Sequence, residues 1–152
     1  MTLNSAAAAG LAEGDKMDAV TVTGSQTVVG TANNVPSNAK IVNAAGEDVT
    51  ASYAITYTNG TLEVTQKAVT ITANSDSKVY DGTALTNSGY TNTALATGDH
   101  IESVTGTGSR TVVGTSNNVP SAAVILNAND ENVTASYDIT YTNGTLEVTA
   151  AT

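Results

Sequence analysis

Asn59-Gly60-Thr61-Leu62-Glu63-Val64-Thr65 recurs without a change at Asn143-Gly144-Thr145-Leu146-Glu147-Val148-Thr149. The offset is 84 residues, and the same offset overlays the chain on itself without a gap from Leu11 to Thr65. Of those 55 positions, 40 are identical. Self-similarity at a fixed period marks a repeat architecture, so the 152 residues divide into two copies of one small module. The division expected is 1–66 for the first module and 67–152 for the second. The stretch Gln66 to Thr83 has no counterpart before Leu11, where the chain reads Met1-Thr2-Leu3-Asn4-Ser5 and then Ala6 to Ala9. The opening segment of the first module is therefore expected to be missing or replaced: either the boundary falls inside the first copy, or, as the sharper alternative, the first copy lacks a strand and leaves an open sheet edge, a template for another chain.

The repeated heptapeptide also suggests local structure. Asn-Gly is the preferred pair of a two-residue type I′ turn. Tyr53 to Thr58 and Thr61 to Thr65 alternate around Asn59-Gly60, as Tyr137 to Thr142 and Thr145 to Thr149 do around Asn143-Gly144. Each half predicts a hairpin, with Tyr57 opposite Leu62 and Ile55 opposite Val64 in the first. Val, Ile, Thr and Tyr dominate the ordered stretches and favour strands. Ala68 to Ala73 alternates with Val69 and Ile71 inward. Val20 to Thr23 and Gln26 to Val29 bracket Gly24-Ser25, and Ala39 to Val42 is a further strand. Gly30 to Ser37 and Gly114 to Ser121, each holding Asn-Asn-Val-Pro, read as loops. The Ala-rich stretch from Asn4 to Met17 and a turn around Thr91 to Thr97 are the only helix candidates.

The fold expected is all-β: two tandem antiparallel β-sandwich modules of Ig-like kind, joined by a short stiff link through Gln66-Lys67. The alternative is a pair of β-grasp-like modules with one short helix. With no Trp and no Phe, the six Tyr must act as aromatics, and Tyr53, Tyr57, Tyr80, Tyr137 and Tyr141 are the expected core aromatics.

Composition excludes several chemistries. Without Cys there is no disulfide and no thiol nucleophile, and a single His cannot serve a triad in each half. A net charge of −9 opposes binding to nucleic acid or to an anionic membrane. Asp15 and Asp99, in matched Gly-Asp pairs, are expected to be loop acids. No catalytic residue, cofactor or metal site is expected, and no enzyme activity.

Lys78-Val79-Tyr80-Asp81-Gly82-Thr83-Ala84-Leu85-Thr86 resembles the opening of the YDG-type tandem repeats of bacterial cell-surface, adhesin-like proteins. The later Val104 to Gly114 and Asn132 to Thr149 resemble the rest of that repeat, and the related MBG repeats end similarly. The resemblance covers the second copy and the first from Leu11 onward. It implies an extracellular structural stalk or spacer whose partners are neighbouring repeats. Two alternatives stand beside it. One is an adhesive module that grips a host glycan or protein through Asn33, Asn34, Asn117 and Asn118. The other is strand exchange through the incomplete first module, giving a dimer in place of a monomer.

Overall fold

A computed structural model describes residues 1–152. The chain is all-β, and its only helical residues are two single 3-10 turns at Thr50–Ser52 and Thr134–Ser136. The short helix of the β-grasp alternative is therefore not formed, nor are the helices anticipated at Asn4 to Met17 and Thr91 to Thr97. Residues 1–12 hold no regular element, while β-rich neighbours claim Lys16 and Met17. Two compact units are formed, Met1–Thr65 and Gln66–Thr152.

The first unit has one three-stranded sheet in the order β1 (Lys16–Thr23), β2 (Gly30–Val42), β3 (Gly60–Val64), with both pairings antiparallel. The second unit has seven strands: β4 (Lys67–Ala73), β5 (Asp76–Val79), β6 (Tyr90–Asn92), β7 (His100–Thr107), β8 (Gly114–Leu126), β9 (Tyr137–Thr142) and β10 (Gly144–Thr149). They form one sheet in the order β5-β10-β8-β7 and another in the order β6-β4-β9.

Neither expected hairpin forms. β9 pairs with β4, and β10 pairs with β8 and β5. The Asn143-Gly144 step thus carries the chain from one sheet to the other. A type I′ turn needs positive φ at both residues, and neither Asn59, Gly60, Asn143 nor Gly144 has it. Long-range pairing overrides the local turn preference. The sheets are also not purely antiparallel, because β4–β9 and β5–β10 run parallel. In the first unit, residues 53–58 belong to no strand.

The expected loops Gly30 to Ser37 and Gly114 to Ser121 are the first halves of 13-residue strands. Conversely, Gln26 to Val29 is a bend, not a strand. Proline enters these strands because β2 changes partners midway. Its pairing with β3 ends at Asn34, and Pro36 opposes only Val22 of β1. With a neighbour on one side only, the setting is that of an edge, where a missing N–H is tolerated. Pro120 repeats this opposite Gly106.

Just beyond, each long strand is bulged. The register slips by one residue between Thr21↔Ser37 and Ala19↔Lys40, and again at the matching place in β7 and β8. The extra residue is left-handed, Asn38 in one copy and Ala122 in the other, both at φ 51°. Asn tolerates that region, whereas Ala strains there. Ala122→Gly is therefore expected to stabilise the second unit by roughly 0.5–1 kcal/mol, after glycine's entropic cost is deducted. The midpoint of urea unfolding should rise accordingly.

Val69, Ile125 and Tyr137 form the main buried cluster of the second unit, with Leu95, Ile101, Val133 and Ile139 packed on it. These residues come from both sheets. Leu85, Leu146 and Val148 form a second, smaller cluster. Among the tyrosines only Tyr137 is buried and Tyr53 is partly so, whereas Tyr57, Tyr80 and Tyr141 are exposed. Tyr137 is thus a core aromatic as expected, while the rest of the core is aliphatic. The phenol oxygens serve a further purpose.

Candidate functional site

That purpose is tethering. The Tyr53 hydroxyl donates to Asp15 Oδ2 at 2.5 Å and accepts from Ala12 N at 2.8 Å. Tyr137 does the same with Asp99 (2.6 Å) and Ala96 N (2.9 Å). Tyr57 and Tyr141 accept from Ala39 N and Ala123 N at the bulges. So Asp15 and Asp99 anchor a tyrosine in each unit. Burial, then the bond to Asp99, raise the Tyr137 hydroxyl above its ordinary value of 10.0. The bond to Asp15 raises that of Tyr53.

A phenol harder to ionise in the fold stabilises it below the unfolded pKa and loses that contribution as pH rises through the folded one. The second unit should therefore weaken above about pH 10. Tyr137→Phe should lower stability at neutral pH by about 1–2 kcal/mol and flatten the alkaline loss. Urea midpoints at about pH 8 and about pH 11 check both.

The 43–48 loop and its copy are clasped by one residue each. Asn43 Oδ1 accepts from Ala45 N and Glu47 N, and its Nδ2 donates to Glu47 Oε2. Asn127 repeats all three bonds with Asn129 and Glu131. The Tyr-Asp-Gly motif is a turn of the same kind. Lys78 Nζ donates to Asp81 Oδ1 at 2.9 Å, as do Thr83 N and Oγ1. Lys78 and then Thr83 hold the Asp81 carboxyl well below the usual carboxylate range. Gly82 takes φ 83° at the corner, and the Tyr80 ring stands in solvent.

The four asparagines proposed for a ligand loop lie in mid-strand. Asn33 and Asn117 are exposed, whereas Asn34 is 6% and Asn118 1% exposed. Asn118 Nδ2 donates to the carbonyls of Asn74 (2.8 Å) and Asn87 (2.9 Å). It thereby stitches β8 to the segment after β4 and to the loop before β6. Asn34 makes one such bond, to Leu3 O at 3.0 Å, and its Oδ1 is buried without a partner.

Leu3 is 84 positions before Asn87, so the first ten residues keep the repeat's frame even where their types differ. Met1 and Gln26 exchange main-chain bonds just as Leu85 and Arg110 do. The first unit therefore contains the counterparts of both strands that flank β4. By the 84-residue offset Ala6–Ala8 correspond to β6 and residues 53–58 to β9. Both segments line a groove of about 500 Å³, Ser5 to Ala9 and Tyr53 to Thr58. Leu11, Met17 and Ile41 line it as well.

Gly60, at the end of this groove, has the same type as Gly144 but a different neighbourhood. A Cβ on Gly144 would lie 2.3 Å from Asn74 O and 2.6 Å from Ala73 O, whereas on Gly60 the nearest atom is Asn34 Cβ at 3.6 Å. Sequence reasoning took both glycines for turn residues and missed this clearance role. The available signal was the segment Gln66 to Thr83, which passes beside Gly144 and has no match in the given sequence beside Gly60.

No protein-family model, curated protein or solved structure matches the chain.

Proposed function

We propose that the chain is a non-catalytic pair of structural repeats, a spacer of an extracellular bacterial surface protein that bears tension along its length. The observation that carries this reading is the direction of the terminal strands of the second unit. The chain enters through β4 and β5, which run parallel to the strands through which it leaves, β9 and β10. Tension applied at the two ends of such a unit loads Lys67↔Tyr137 to Thr72↔Thr142 and Asp76↔Leu146 to Val79↔Thr149 in shear. Many hydrogen bonds must then break together, whereas antiparallel terminal strands peel one bond at a time.

The identities between the copies support the same reading. Asp15, Asn34, Asn43, Glu47, Thr50, Tyr53 and Tyr57 all recur at +84, and in both copies their side chains bond the frame. The complete module is best read as a two-layer sandwich of Ig-like kind, its two sheets meeting at Val69, Ile125 and Tyr137. The surface setting rests on the resemblance of residues 78–86 and 104–149 to YDG-type repeats. The adhesive alternative is left with Asn33 and Asn117 as its exposed candidates, because Asn34 and Asn118 face the interior.

Single-molecule pulling on the ends of the chain tests the spacer reading. Two unfolding events are expected, the longer length release occurring at the higher force. That release belongs to the second unit, since the first has only antiparallel pairs. A second unit that yields at the lower force would overturn the reading. Forced unfolding follows the unfolding rate, so the comparison holds even if the two units are equally stable at equilibrium.

A further inference from the structure

We propose that the first unit is an acceptor for a β-strand, and that its occupant is the opening strand of another copy of this repeat, with the sequence of Lys67–Val79. The proposal goes beyond the spacer reading and does not depend on it. Four observations carry it.

The first is the groove's lining. In the second unit, Val69 of β4 shares a buried cluster with Ile125 and Tyr137, on which Leu95, Ile101, Val133 and Ile139 pack. The counterparts Leu11, Met17, Ile41, Tyr53 and Ile55 line the groove of the first unit, and Val49, the counterpart of Val133, does not. Of these, Tyr53 is less buried than its counterpart Tyr137, while Ile41 is buried as Ile125 is.

The second is the main chain. β4 is bonded on one side to β6 and on the other to β9. The matching segments, Ala6–Ala8 and residues 53–58, both line the groove and belong to no strand. Apart from Tyr53 N, which donates to Thr50 O, their main-chain groups stand in no sheet pairing, the situation in which strand addition occurs.

The third is Asn34. It is buried and lines the groove. Its Nδ2 makes the Leu3 bond that corresponds to Asn118–Asn87, but not the one that corresponds to Asn118–Asn74. Asn74 is the residue that follows β4. The fourth is Gly60, whose side is open to 3.6 Å where the corresponding face of Gly144 is closed by Ala73 and Asn74. A strand arriving as β4 does would need that face to stay without a Cβ.

The register follows by subtraction of 84 from the second unit. Lys67 of the entering strand would face Tyr53, Val69 would face Ile55, and Ile71 would face Tyr57, all in parallel. Asp76 and Lys78 would pair alongside Leu62 and Val64 on the free edge of β3. Charge agrees with this assignment. The segment Gln66–Val79 carries two Lys and one Asp, while residues 1–65 carry six acids and two Lys.

A fluorescent peptide of sequence Gln66–Val79, titrated into the full chain, tests the proposal. Saturable binding is expected, with slowed amide hydrogen exchange at residues 6–8 and 54–58. A peptide carrying Asp at both Val69 and Ile71 should lose at least ten-fold in affinity. The Gly60→Ala chain should lose binding to a similar extent while its own unfolding transitions stay in place. Absence of saturable binding overturns the proposal. So does binding that survives Gly60→Ala, because the peptide would then be exchanging into the second unit or adhering elsewhere. Should Gly60→Ala perturb folding, the exchange pattern on the unaltered chain decides: protection outside 6–8 and 54–58 rejects the assigned groove. None of these outcomes bears on the pulling experiment, so the spacer reading and this one fail separately.

Discussion

Gly144→Ala should cost the second unit about 3–5 kcal/mol, whereas Gly60→Ala should leave the first within about 0.5 kcal/mol. The two residues occupy the same place in an identical heptapeptide. Neither has positive φ, so backbone strain does not separate them. What differs is the chain that passes beside them. A methyl on Gly144 would meet two main-chain oxygens, Asn74 O at 2.3 Å and Ala73 O at 2.6 Å. Ala73 ends β4 and Asn74 follows it, and β4 is bonded on both sides, to β9 and β6. Relief therefore requires moving a central strand, which is beyond ordinary overpacking of a flexible core. On Gly60 the methyl meets only Asn34 Cβ at 3.6 Å, an ordinary contact. Urea unfolding of each variant, followed by hydrogen exchange to assign the transition to its unit, gives the comparison. Equal losses at both positions would show that the glycines serve a turn after all.

Asn118→Ala should cost about 2–4 kcal/mol, and Asn34→Ala clearly less. Asn118 is 1% exposed and satisfies two carbonyls, Asn74 O and Asn87 O, that lie in different segments. Removing the amide leaves part-buried acceptors without a donor and opens a small void. Each unsatisfied group costs about 1–3 kcal/mol. Asn34 holds one carbonyl and already carries an unpaired Oδ1, so its removal deletes a bond and an unmet acceptor together. Isosteric replacement of Asn118 by Leu would restore volume but not the bonds. It should recover only a minor part of the loss. Denaturant midpoints for the three variants rank these contributions.

Much of the fold was legible in the sequence, and the illegible part has a consistent cause. Val69 and Ile71 could be read inward from alternation in Ala68 to Ala73, and both are buried. Leu62, Leu146 and Val148 alternate with polar neighbours in the same way and are buried too. Which strand each would pair with was not legible. Asn143-Gly144 offered a hairpin that costs almost no loop closure, yet the chain declines it for partners some 30 to 70 residues away. The local signal describes what the turn prefers in isolation. The sheet pairings decide otherwise because β8 and β4 bring buried faces that a lone hairpin lacks.

Asn118 and Pro120 misled for a related reason. An Asn-Asn-Val-Pro run has loop composition, but a buried Asn with two carbonyl partners is as well satisfied as one in water. Proline fits a strand once its neighbour on one side has ended. Neither condition can be seen along the chain. The tyrosines were assigned to the core by elimination, since no other aromatics exist. Tyr137 is in the core, and the hydroxyls of Tyr53, Tyr57, Tyr137 and Tyr141, placed 2.8–3.0 Å from main-chain nitrogens, tether the bulges and the Gly-Asp turns.

Sequence by itself determined that this protein is all-β, that it repeats at 84 residues, and that one copy carries a segment for which the other has no match. Those properties are set by composition, alternation and identity, which act residue by residue. Only the tertiary structure decided that the unmatched segment is a central strand, that its two flanks persist in the first unit, and that the surface it would cover lines a groove. Strand pairing is a relation between distant residues, held by backbone groups common to every amino acid, and so it leaves almost no mark on the side chains that spell the sequence.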